Sequence, residues 1–102
     1  VTSANPLEAI HVAVNRALPG AAGPDAEPFL PEQRLDLAHA LAAYTAGSAY
    51  VNHLDSETGR VAPGFLADLA VLAADPFAER ADDIASIGVE QTYVSGERVF
   101  GE

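Results

Sequence analysis

The side chains best suited to hold a metal ion or move a proton near neutral pH are the histidines, His11, His39 and His53. Metal sites legible in a sequence place two histidines one turn apart on a helix, or alternate on a strand, so that both face one ion. None of the three has such a neighbour, and each reads as a partly exposed surface residue. Ser48 and Ser95 lack the Gly-x-Ser-x-Gly turn that exposes a nucleophile, and the chain has no cysteine. Asp75 and the adjacent Asp82 and Asp83 could be taken as a carboxylate pair, but neighbouring acids in a polar loop read as a solvated turn. Tyr44, Tyr50, Tyr93, Phe65, Phe77 and Phe100 have no basic residues interleaved with them and read as packing residues rather than a base-stacking platform. No residue is assigned a catalytic, cofactor-binding or metal-binding role.

The elements that would position these groups follow from turn chemistry and periodicity. Asn5-Pro6-Leu7-Glu8 is a helix entry: Asn caps free amides, Pro suits the first helical position, and Glu favours the positive end. A helix over 6–18 is expected, with Leu7, Ile10, Val14, Ala17 and Leu18 as its apolar stripe. Pro19-Gly20 stops it, and a loop carrying Gly23, Pro24, Asp25 and Pro28 runs to Pro31. A second helix is expected to open at Pro31-Glu32-Gln33 and run through Leu35, Leu37, Ala38, Leu41, Ala42 and Tyr44. Gly47 should break or kink it, leaving a short helical turn over 45–52 whose small residues permit another backbone to approach closely. From Asp55 the pattern changes to short β-prone runs between turns. Strands are expected over 67–73 and 89–94, the latter turning at Ser95-Gly96 into Arg98-Val99-Phe100 as a tight hairpin, with Arg60-Val61 a shorter candidate. The fold class is α+β, divided at the change of pattern into a helical segment, 1–54, and a β segment, 55–102.

Composition narrows the partners. Fifteen acidic residues against five basic ones, all arginine, give a net charge of −10 in 102 residues, which repels phosphate backbones and anionic lipid. Nucleic acid and membranes are therefore not expected as partners, and no apolar run is long enough to span a bilayer. Without cysteine no disulfide framework argues for secretion, so the chain reads as cytoplasmic. With no methionine, and with Val1 opening directly onto a helix entry, the natural start is expected upstream of Val1, and the Ala-rich, Lys-free composition suggests a bacterial origin.

Two stretches carry a resemblance: Ala43-Tyr44-Thr45-Ala46-Gly47-Ser48-Ala49 within 35–49, and Gly59-Arg60-Val61-Ala62-Pro63-Gly64-Phe65-Leu66-Ala67-Asp68-Leu69 and its continuation to Leu72. Together with the hairpin residues Val89, Thr92, Val94, Gly96 and Val99 they resemble the C-terminal signature of the amidohydrolase superfamily. Asn5-Pro6-Leu7-Glu8, Arg16, Pro31-Glu32-Gln33 and Asp75-Pro76-Phe77 narrow the likeness to amidohydrolase family 3, the N-substituted formamide deformylase-like group.

The resemblance implies a parent enzyme with a (β/α)8 barrel, a divalent metal, zinc by preference, and a smaller composite β domain. The helix from Pro6 would be the last barrel helix and the sheet the C-terminal part of that β domain. The family's His-x-His and lysine are missing from this chain, so it would be an inactive structural portion of a hydrolase of non-peptide C–N bonds, without a cofactor of its own. Its partner would be the remainder of the parent chain. In isolation it should self-associate, because the helix stripe and strand edges would lack their neighbours. The reading from a different class is a stand-alone α+β interaction module that offers a strand edge to a protein partner.

Overall fold

A computed structural model describes residues 4–21, 23 and 27–101. Pro24 and Asp25 of the expected loop lie outside the described residues. The chain packs as two compact units: residues up to Leu41 together with Ala74–Ile87, and Ala42–Ala73 together with the chain from Gly88.

In the first unit, helix α1 covers Pro6–Asn15. Its entry is as expected: Asn5 is extended and its Oδ1 accepts the Leu7 amide at 3.0 Å, with Pro6 and Glu8 in the first turn. The end is not, because Arg16 takes up a left-handed conformation at φ 56° and closes the helix through its amide on the Val12 carbonyl at 2.7 Å. The expected extension to residue 18 is therefore corrected. Arg16 is bound instead to the returning loop, accepting the Phe29 amide at 2.8 Å and donating Nε to the Phe29 carbonyl at 2.9 Å. Leu35 returns its amide to Ala13, satisfying one carbonyl that the helix end leaves free.

α1 packs on a 3₁₀ segment, Ala81–Ser86, and the core between them comprises Leu7, Ile10, Ile84 and Ile87 with His11. Only the first half of the expected stripe is thus buried. Leu18 lies beyond the helix and is exposed, since the left-handed residue before it turns the chain away.

The expected second helix is interrupted. Pro31–Gln33 form a single 3₁₀ turn, Arg34 is extended, and α2 begins only at Leu37, covering Leu37–Ala42. The cause is Asp36, whose Oδ1 takes the His39 amide at 2.8 Å and so supplies a helix entry that the proline does not. Helical structure then runs on through a π turn, Ala43–Gly47, into α3, Ser48–Val51. Gly47 widens the coil rather than breaking it, so 45–52 is a continuation and not a separate turn.

The second unit holds the sheet. β1 (Leu69–Leu72), β2 (Val89–Val94) and β3 (Glu97–Phe100) are antiparallel in the order β1-β2-β3. Ser95 and Gly96 both have positive φ, 50° and 81°, as a two-residue hairpin turn with the twist of its strands requires. The expected class, α+β, and the hairpin therefore stand, with three α-helical segments and a 3₁₀ insertion between β1 and β2. Arg60-Val61 is not a strand. Tyr44, Tyr50, Phe77 and Phe100, expected to pack, are exposed, because small and branched aliphatic residues fill the core.

The loop between α3 and β1 is tied at both ends. Gly59, at φ 94°, comes so near the helical stretch that a Cβ there would lie 2.7 Å from the Ala49 Cβ and 3.0 Å from the Thr45 carbonyl oxygen. This is the close approach that the small residues of 45–49 permit. Asp68 completes the tie by accepting the Ser95 amide at 2.8 Å on one oxygen and the Thr58 hydroxyl at 3.1 Å on the other.

Candidate functional site

The three histidines stand in three different settings. His39 is exposed on α2, its Nδ1 2.7 and 2.8 Å from the two oxygens of Asp36. The His39 amide and then its ring hold the Asp36 carboxyl below the usual carboxylate range. His53 lies in the turn after α3, left-handed at φ 61°, exposed, with its amide on the Tyr50 carbonyl at 3.1 Å. Both match the reading as surface residues.

His11 does not. It faces the first unit's core at 3% exposure, and its Nδ1 is buried without a hydrogen-bond partner. Burial pushes the imidazole below its ordinary pKa, and the nearby charge of Asp82 pulls the other way. Asn15, one turn further along α1, fixes this corner by donating Nδ2 to the His11 carbonyl at 3.0 Å and to the Ala81 carbonyl at 2.9 Å. His11, Asn15, Arg34 and Asp82 line one groove of about 410 Å³. Arg34 and Asn15 carry no motif, and only packing brings them to the groove with His11 and Asp82.

The remaining candidates have structural work. Asp75 Oδ1 accepts the Phe77 amide at 2.9 Å and shapes a turn. Asp82 is paired with Arg80 at 3.0 Å on the surface, and Asp83 is exposed beside it, as a solvated acidic turn would be. The Ser48 carbonyl accepts both the amide of Asn52 and its Nδ2, and Ser95 forms the hairpin turn.

Among the described residues no three His, Cys, Asp or Glu side chains are grouped to hold a metal ion. Among the described residues the histidines are apart: His39 is paired with Asp36, His53 is on an open turn, and His11 shares its groove with Asp82. No helix among the described residues is long and apolar enough to cross a membrane.

The family model described as the amidohydrolase family matches residues 1–100. The chain is also similar to YtcJ of Bacillus subtilis (strain 168), a protein provisionally described as an amidohydrolase. The two are 32% identical over 66 residues, a stretch that makes up 65% of this chain and 12% of that protein. No solved structure gives a significant match.

Proposed function

The chain belongs to the amidohydrolase family, and from that premise we propose that it is the C-terminal structural portion of a metal-dependent hydrolase of non-peptide C–N bonds. The observation that carries this reading is the match of the family model over residues 1–100. The remainder of a parent chain would supply a (β/α)8 barrel and a divalent metal, zinc by preference. Such a metal, held by residues of that remainder, would supply an activated water and electrostatic stabilisation of the developing charge. The residues of this chain would instead shape its surroundings: α1 as the last barrel helix, and β1–β3 as part of a composite β domain. N-substituted formamides are the substrate class that the resemblance to the deformylase-like group favours, and the cytoplasm is the compartment.

The test compares the 102-residue chain with a longer protein that contains it, assayed on N-substituted formamides and analysed for metal after dialysis. The longer protein should retain metal and release amine, and the chain alone should do neither. Stoichiometric zinc held by the chain alone, and lost when His11, His39 and His53 are replaced, would overturn the proposal.

One observation favours the reading as a stand-alone module. Leu7 and Ile10 are already covered by the chain's own 3₁₀ segment. An isolated chain that is folded and monomeric, and that binds an extended peptide along β1 or β3, would support that reading over the first.

A further inference from the structure

A buried imidazole with an orphaned ring nitrogen is uncommon, because a polar group taken out of water normally keeps a partner. In the first unit His11 is such a group, and it stands where α1 meets the 3₁₀ segment Ala81–Ser86. The neutral ring tolerates this position, since one nitrogen then carries only an unshared lone pair. The protonated ring does not, because both nitrogens then carry hydrogens and the ring a full charge.

The charged groups around it can be named. On its own helix Glu8 lies one turn back. On the 3₁₀ segment Asp82 lines the groove with His11, with Asp83 next in the chain, and Arg34 lines the groove from the loop. Asp82 is held on the surface by Arg80, an exposed pair of the kind that contributes little and exchanges readily.

We propose that His11 and Asp82 form a proton-operated joint between α1 and the 3₁₀ segment. With the ring neutral, Asp82 stays with Arg80 and the segment seats on an uncharged face of α1. With the ring protonated, Asp82 leaves Arg80 and turns into the groove to pair with the imidazolium. Asn15 is the built-in reporter of the exchange, because its side-chain amide bridges the His11 and Ala81 carbonyls, and Ala81 is the residue before Asp82. The proposal is independent of the enzymatic reading, since it concerns only how this unit responds to acid.

The experiment is a pH titration of the 102-residue chain by NMR, following the His11 ring, the Asn15 side-chain amide and the Arg80 Nε–H. The Asn15 and Arg80 signals should move with the His11 midpoint. In Asp82→Asn the His11 midpoint should fall to more acid pH and the Arg80 response should vanish, whereas Asp83→Asn should leave both as they were. Should Asp82→Asn fail to fold, Arg80→Gln gives a second reading: with its competitor removed, Asp82 should be freer to pair and the His11 midpoint should rise. An Arg80 signal that ignores the His11 midpoint, equal shifts in the two aspartate variants, or a midpoint unmoved by Asp82→Asn would each overturn the joint.

Discussion

Arg16 and His11 show how single side chains set the first unit. Arg16 ends α1 by leaving the helical region, then recovers bonding by clasping Phe29 through backbone and side chain, with its guanidinium 5.8 Å above that ring. His11 fills a core position at the cost of one unpaired nitrogen. Because burial lowers its pKa in the folded state, the unfolded chain takes up the proton first as pH falls. The stability its neutral ring supports is therefore present above the ordinary histidine value, near 6.5. It is lost as pH drops below that value, and the loss is complete beneath the depressed folded value. Melting temperature between pH 8 and 5 should decline over that window. In His11→Phe, which keeps the ring without the titration, this part of the decline should disappear, and an unchanged profile would refute the assignment.

At the scale of elements, the loop from α3 to β1 and the hairpin are locked by two residues. Gly59 is needed both for its positive φ and for the absence of a Cβ against Ala49 and Thr45. Gly59→Ala combines a disfavoured backbone with overpacking and should destabilise the chain by about 2–4 kcal/mol in urea unfolding. Asp68 holds Ser95, a non-glycine residue at positive φ, by its amide. Loss of this carboxylate in Asp68→Ala removes two hydrogen bonds at an exposed site and should cost about 1–2 kcal/mol. Amide shifts at Ser95 and Gly96 should report the change, whereas α1 should be unaffected. A destabilisation spread equally over both units would contradict this local role.

Considered as a whole molecule, the chain presents two kinds of unfinished surface. In the sheet, the outer sides of β1 and β3 pair with no other strand among the described residues, and Val99 and Phe100 on β3 are exposed. The stripe of α1 offers less than its spacing suggested, since Leu7 and Ile10 are covered internally. Strand edges are therefore the surface by which the chain should associate with itself. The net charge of −10 opposes this, but at physiological salt charges more than about 8 Å apart are largely screened. Sedimentation at micromolar concentration should show a dimer, and Val99→Lys, which charges the β3 edge, should shift it toward monomer. A monodisperse monomer for the unaltered chain would count against association.

Local rules sufficed for much of this. Asn5-Pro6 as a helix entry, Ser95-Gly96 as a hairpin turn, the small residues of 45–49 as a seat for another backbone, and the family itself follow from residues adjacent or nearly adjacent in sequence. The capping, φ and close-approach requirements they meet act over a few bonds. The late start of α2 is local as well, a competition between the Asp36 cap and the entry at Pro31. The end of α1 and the burial of His11 were decided by tertiary structure, each through a partner distant in the chain: Phe29 for Arg16, and the 3₁₀ segment at Ala81–Ser86 for His11. The groove that joins His11, Asn15, Arg34 and Asp82 has no sequence signature for the same reason. Burial and charge proximity are properties of packing, and a helical histidine looks the same in sequence whether its face meets water or Ile84.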